Sequence, residues 1–115
     1  MPRLLIVDDE PTLLQLLKRY LERYDYQVDT ADSAESALSA FDLDPQRFDI
    51  VITDLTLPGL NGAELLERMR AKNPTLPGII SSGYPYEPQL KDVAFVQKPF
   101  LPQMLAEQIA KSLKR

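Results

Sequence analysis

The feature that most constrains this chain is the stretch Phe48-Asp-Ile-Val-Ile-Thr-Asp-Leu-Thr-Leu-Pro-Gly59. Ile50, Val51, Ile52 and Thr53 run without a break and stop at one carboxylate, Asp54. β-branched residues on both faces read as an interior parallel strand. Turn chemistry follows at Pro58-Gly59 and Asn61-Gly62. In open α/β sheets, the carboxyl ends of such strands face the crevice where ligands bind. Asp54 is therefore aimed at a crevice, and the rest of the chain decides what it meets there.

The chain repeats the same unit around that strand. Leu4-Leu5-Ile6-Val7 is a short apolar run cut off by Asp8-Asp9-Glu10, and reads as a buried strand. Pro11 stands where proline favours the first turn of a helix. Leu13, Leu14, Leu16, Leu17, Tyr20, Leu21 and Tyr24 then recur at helical spacing. Gln27 to Ala31 alternates weakly, as a second strand. Ser33 is an N-cap for a helix carrying Ala34, Ala37, Leu38 and Phe41, which ends between Asp42 and Gln46. Phe48 to Thr53 is the third strand.

Asn61 and Glu64 are spaced as a capping box, and the helix behind them carries Leu65, Leu66 and Met69 to about Lys72. Asn73-Pro74 stops it. Leu76 to Ser81 is the fourth strand and Ala94 to Val96 the fifth. Pro102 opens a last helix, with Leu101, Leu105, Ile109 and Leu113 stepping by four. Lys111, Lys114 and Arg115 lie near its negative end. Strands alternating with amphipathic helices predict one α/β domain over residues 1–115, a doubly wound parallel sheet.

One segment breaks the repeat. The 12 residues from Gly83 to Ala94 lead from the fourth strand into the fifth. Pro85 and Pro88 forbid a helix through the first half. Too little chain remains for a typical helix of about 8–20 residues. The helix due there, the fourth of the repeat, is predicted to be missing or reduced to one turn.

Composition removes whole classes of function. With 115 residues there is one domain's worth of chain. The absence of cysteine rules out disulfides, Fe–S clusters and thiol nucleophiles. The absence of histidine removes Ser-His-Asp catalysis and imidazole metal sites. A net charge of -4 without a basic stripe argues against nucleic-acid binding. No apolar run approaches the roughly 20 residues that cross a bilayer. The N-terminal stretch does not read as a signal peptide, so a cytoplasmic location is expected.

Four strand ends carry chemistry. The first ends in Asp8 and Asp9, the third in Asp54, the fourth in Ser81-Ser82 and the fifth before Lys98. Parallel strands bring these ends to one edge. Clustered carboxylates repel unless a cation joins them or some protonate. All-oxygen ligands point to a hard divalent metal such as Mg2+. An aspartate beside such an ion serves as a nucleophile toward phosphorus. The transferring oxygens then need a cation and a donor, which Lys98 and a serine supply.

These residues resemble the receiver domain of two-component response regulators. The resemblance rests on Ile6-Val-Asp-Asp-Glu10, Asp54-Leu-Thr-Leu-Pro-Gly-Leu-Asn-Gly62, Ser82-Gly83 and Lys98-Pro99-Phe100, in that order. It implies a flavodoxin-like, five-stranded sheet of order 2-1-3-4-5. It implies Asp54 as phosphoacceptor, receiving a phosphoryl group from a phosphohistidine on a histidine kinase or phosphotransfer protein. Asp8, Asp9, Asp54 and the backbone carbonyl of Thr56 would hold Mg2+. Ser82 and Lys98 would contact the phosphoryl group, the Lys98-Pro99 peptide would be cis, and Phe95 would be the aromatic switch. Such a domain is a switch and not a turnover enzyme. It acts on a downstream effector or a covalently linked kinase.

The short segment before the fifth strand departs from the family pattern. A full helix there usually supplies a dimerisation and output face, so dimerisation through that face is not expected. Short versions beginning Ser-Gly-Tyr look similar to receivers attached to hybrid sensor histidine kinases.

Taken singly, each residue has a plainer reading. Asp8 and Asp9 suit a helix N-terminus, Asp54 an Asx-turn, Ser82 a turn before Gly83, and Lys98 a solvated surface. Ser81 competes with Ser82, and strand alternation sends the two to opposite faces. A small metal-dependent phosphohydrolase using Asp54 is the alternative function. Thr56 stands where such enzymes commonly carry a second carboxylate.

Overall fold

The computed structural model describes residues 1–114. Five parallel strands form one sheet: β1 (Arg3–Val7), β2 (Gln27–Ala31), β3 (Ile50–Asp54), β4 (Gly78–Ser82) and β5 (Val93–Gln97). The helices are α1 (Pro11–Glu22), α2 (Ala34–Leu43), α3 (Gly62–Lys72) and α4 (Pro102–Lys114). The strand order is β2-β1-β3-β4-β5, as the resemblance implied. No described helix is long and apolar enough to cross a membrane.

Alternation along the strands splits the core in two. Leu4 and Ile6 of β1, Ile50 and Ile52 of β3, Ile79 of β4 and Val96 of β5 pack with α1 and α4. Leu5, Val7, Val51 and Ile80 pack on the other face with α2 and α3. Helices cover both faces, which is why the inner strands β1, β3 and β4 are buried on both sides, while the edge strand β2 alternates. The same parity decides which polar residues share a face at the strand ends.

Local chemistry sets the helix starts. Ser33 Oγ accepts from the Ser36 N–H at 3.1 Å and caps α2. Asn61 and Glu64 close a reciprocal capping box at 2.9 and 3.1 Å, which fixes the start of α3. Gly62 donates its N–H to the Leu55 carbonyl at 2.8 Å. A Cβ at Gly62 would run into the Asp54 carbonyl oxygen, so only glycine lets α3 begin directly against the end of β3.

Several boundaries differ from the sequence expectation. β3 begins at Ile50 and not Phe48, because Phe48 turns inward to stack on Phe41 at 6.5 Å. β4 covers Gly78–Ser82 and not Leu76 to Ser81. Pro77 has no N–H to give the ladder, while the Ser82 carbonyl accepts from the Lys98 N–H at 2.8 Å and extends it. α1 stops before Tyr24, and Leu16 and Tyr24 are about half exposed, off the buried face. Leu101 precedes α4 and is exposed.

Residues 83–92 contain no helix, as Pro85 and Pro88 require. Side chains replace the missing element. Tyr86 and Leu90 pack against the α2–α3 face of the core. The Tyr86 ring lies 6.2 Å from the Phe95 ring, tilted by 59°.

Candidate functional site

The site forms where the carboxyl ends of β1, β3, β4 and β5 meet. Asp8 follows β1 and its N–H donates to the Ala31 carbonyl, so the ladder carries it to a fixed place. It is 4% exposed. One carboxylate oxygen accepts from the Glu10 N–H at 3.0 Å and the other from Lys98 Nζ at 2.8 Å. Asp54 ends β3, and Lys98 Nζ lies 3.4 Å from its Oδ2. Asp9 is exposed at the rim. Carboxylate oxygens of Asp8, Asp9 and Asp54 all lie within 4.8 Å of one another.

Parity explains this convergence. Asp8 continues the series Leu4 and Ile6, and Asp54 continues Ile50 and Ile52, both on the α1–α4 face. Lys98 continues Ala94 and Val96 on that face, held in the ladder by its bond to Ser82. Its ammonium reaches across from the edge strand to bridge two carboxylates that would otherwise repel. Burial works against the charge on Lys98, but the bond and charge of Asp8, then those of Asp54, hold its pKa above the ordinary lysine value. Burial pushes the Asp54 carboxyl above the usual carboxylate range, against the pull of Lys98, with the Asp8 charge adding to the rise. The Thr56 backbone N–H favours its charged form.

The two serines separate as alternation requires. Ser82 shares the face of Ile80 and Phe95, and its Oγ accepts from the Tyr84 N–H at 3.1 Å. Its own proton is still available to donate. Ser81 shares the face of Ile79, and hence of Asp8, Asp54 and Lys98. It pairs in register with Asp54, is 3% exposed, and its Oγ has no hydrogen-bond partner among the described residues. Phe95 is partly buried on the opposite face, under Tyr86. The Lys98–Pro99 peptide is cis. Thr56 is exposed in the loop after β3.

Asp8, Asp9, Asp54 and Lys98 are thus brought together, while Ser82 and Phe95 lie on the other side of the sheet edge. Sequence reasoning missed the roles of Glu10, whose N–H orients Asp8, and of Gly62, which seats α3 under Asp54. A glycine directly after an N-cap asparagine was the available signal for the second.

The oxygen-only donor set fits a hard divalent cation, and three carboxylates facing one ammonium leave room for its charge. Geometry of this kind can accept and stabilise a phosphoryl group on a carboxylate.

A family model described as the response regulator receiver domain matches residues 4–110. The virulence sensor protein BvgS of Bordetella bronchiseptica is 45% identical over 69 residues, 60% of this chain and 5% of that protein. The chain is thus a small part of the length of the curated relatives it matches. The receiver domain of the hybrid histidine kinase CckA has a TM-score of 0.88 at 32% identity, over 96% of this chain and 98% of that one. TrrA of Thermotoga maritima, solved with Mg2+ and BeF, has a TM-score of 0.85 at 36% identity, over 98% and 100%. With the sheet order, the acidic edge and these matches in hand, the chain belongs to the family of response regulator receiver domains.

Proposed function

We propose that Asp54 is the phosphoacceptor of a phosphorelay switch formed by residues 1–115. The observation that carries this reading is the Lys98 ammonium bridging Asp8 and Asp54 beside Asp9. A carboxylate oxygen of Asp54 attacks phosphorus in a phosphohistidine of a kinase or phosphotransfer protein. The P–O bond forms, the P–N bond breaks, and its electron pair stays on the imidazole nitrogen. Lys98 draws toward the phosphoryl oxygens as charge shifts onto them. Asp8, Asp9, Asp54 and the Thr56 carbonyl would hold Mg2+, which supplies positive charge to those oxygens. A cleft lined by Glu10, Leu13, Gly83, Lys98, Pro99 and Phe100 gives a donor imidazole its line of approach.

The readout runs along β4 and β5. Ser82 donates its proton to a phosphoryl oxygen, and Phe95 repacks beneath Tyr86 as the loop moves inward. This is a shift between two existing populations, favoured by whatever binds one of them better. Tyr86 takes the place of the absent helix in that path, so the output face is a loop. The likeness to the CckA receiver and to BvgS supports a domain of the kind attached to hybrid sensor kinases.

The phosphohydrolase alternative falls away. The family match and the structural neighbours are receivers, and Thr56 offers no second carboxylate. The test is incubation with a small acyl phosphate and Mg2+, followed by intact mass. One phosphoryl group is expected on the wild type and none on Asp54→Asn. An unmodified wild type, or modification that survives Asp54→Asn, overturns the reading.

A further inference from the structure

Ser81 is the one buried side-chain polar atom without a partner among the described residues, and it lies on the functional face. An unpaired buried hydroxyl is costly, because nothing replaces the water it gave up. Valine or isoleucine would suit this position better in a protein that used it only for packing, as Ile79 and Ile80 show on the same strand. The hydroxyl therefore needs a partner in another state of the domain.

The topology identifies that partner. Lys98 leaves the edge strand β5, and its ammonium reaches Asp54 on β3 and Asp8 on β1. To do so its side chain crosses β4 on the face that Ser81 shares. In the present arrangement its nearest acceptor is Asp8 Oδ2, at 2.8 Å. A divalent cation held by Asp8, Asp9 and Asp54 needs those same lone pairs and repels the ammonium. Lys98 must then give up Asp8 and withdraw toward its own strand. Its route back passes β4, where Ser81 Oγ stands with both lone pairs unused.

We propose that Ser81 is a positioning residue for Lys98, accepting a hydrogen bond from its ammonium when a divalent cation occupies the carboxylates. The hydroxyl keeps Lys98 beside Asp54, within reach of a phosphoryl group, and off the metal ligands. It lowers the cost of exchanging an ammonium for a metal ion at Asp8. This assigns the serines separate tasks: Ser82 acts on the phosphoryl group and Ser81 on the lysine. The inference rests on Asp54 being the phosphoacceptor of a cation-binding pocket.

The test uses the full chain and Mg2+ alone as the probe. Mg2+ affinity is measured by titration, and the Lys98 ammonium is followed by proton–nitrogen NMR. In the wild type, Mg2+ is expected to move the Lys98 ammonium signal and slow its exchange with water. Ser81→Ala is expected to weaken Mg2+ binding by about tenfold, the worth of one hydrogen bond to a charged group, and to leave that signal broadened. Ser81→Thr restores both, because it keeps the hydroxyl. Ser81→Ala folds at least as well without metal, since it removes an unpaired group and leaves the backbone unchanged.

Unchanged Mg2+ affinity and an unchanged ammonium signal in Ser81→Ala overturn the proposal. So does a loss in Ser81→Ala that Ser81→Thr fails to restore, which would mark a packing effect. Failure of the underlying reading looks different: the wild type itself would then bind no Mg2+, or Asp54→Asn would still take up a phosphoryl group.

Discussion

Two crossovers leave neighbouring strands of this sheet and are built on opposite plans. From Asp54 the chain turns, caps itself with Asn61 and Glu64, and returns to β4 through α3. From Ser82 it returns to β5 through residues 83–92 with no helix. Both connections must span parallel strands and cover the same α2–α3 face of the core. The first does so with backbone bonded to itself and Leu65, Leu66 and Met69 fully buried. The second does so with Tyr86 and Leu90 on irregular backbone. A parallel crossover thus needs span and cover, and a helix is one way of supplying both. The helical side holds the Asp54 carboxylate still. The loop side carries Ser82 and Phe95, and irregular segments with few buried contacts open most readily.

The largest effect is expected on the rigid side. In Gly62→Ala the new methyl meets the Asp54 carbonyl oxygen, and Thr53 Cγ2 lies 3.0 Å away. The first obstacle is backbone in a central strand, so it cannot rotate aside. The capping box and the Gly62–Leu55 bond hold the other partner. Overpacking of this kind is expected to cost about 3 kcal/mol in urea unfolding, the upper part of the usual range. Because the obstacle carries Asp54, Mg2+ affinity is expected to fall with stability. A cost under about 0.5 kcal/mol, the scatter of surface changes, would show that the end of β3 gives as easily as the loop does.

Tyr86→Ala probes the other side. The ring is partly exposed, so the loss is expected near 2 kcal/mol, below the 3–5 kcal/mol typical of a fully buried aromatic. Faster amide exchange is expected in residues 83–97, with α3 unaffected. Asp54 is expected to be phosphorylated at an unchanged rate, because Tyr86 and Phe95 pack on the face opposite the carboxylates. A variant that loses phosphorylation along with stability would mean the two crossovers are one unit.

The same contrast explains what could be read from the chain alone. Apolar runs such as Ile50 to Thr53 and helical spacing such as Leu14, Leu17 and Leu21 announce their elements, because burial on two faces or one stripe leaves few other patterns. The lost helix was legible from Pro85 and Pro88. Strand ends were less so: Pro77 and Phe48 are apolar enough to look like ladder, and only pairing shows that they lie outside it. Asp8, Asp54 and Lys98 were legible because each ends its strand or directly follows it. Ser81 and Ser82 were separated only by the spacing to Gly83, since their facing depends on the register Asp54 to Ser81, which no local pattern encodes. The pairing of Tyr86 with Phe95 was not legible, because the two lie nine positions apart and across a turn.

A smaller effect of opposite sign is expected from Asp54→Asn in metal-free protein. Burial, with the charge of Asp8, raises the Asp54 pKa above its ordinary value despite Lys98. The folded state therefore binds this proton more tightly than the unfolded state. The stability this group contributes is present at low pH and is lost as pH rises through its folded-state pKa. Above that pKa the wild type carries the cost of the charge and the asparagine variant does not. Asp54→Asn is expected to unfold at higher urea at pH 7, with the gain shrinking as pH falls toward the ordinary carboxylate range. A gain that is constant with pH would place its origin in packing and not in charge.

The smallest effect is expected within the loop itself. Tyr84 and Tyr86 are separated by one proline, yet Tyr84 is 81% exposed while Tyr86 packs on Phe95. The Tyr84 backbone is engaged, through its N–H to Ser82 Oγ, and any side chain preserves that bond. Tyr84→Ser is expected to change stability by no more than about 0.5 kcal/mol and to leave acyl-phosphate labelling of Asp54 unchanged. If Tyr84→Ser instead destabilises as much as Tyr86→Ala, the cover of this face is spread along the loop. Equal costs would then mean that the loop packs collectively, as a helix does, and the distinction between the crossovers would reduce to backbone bonding alone.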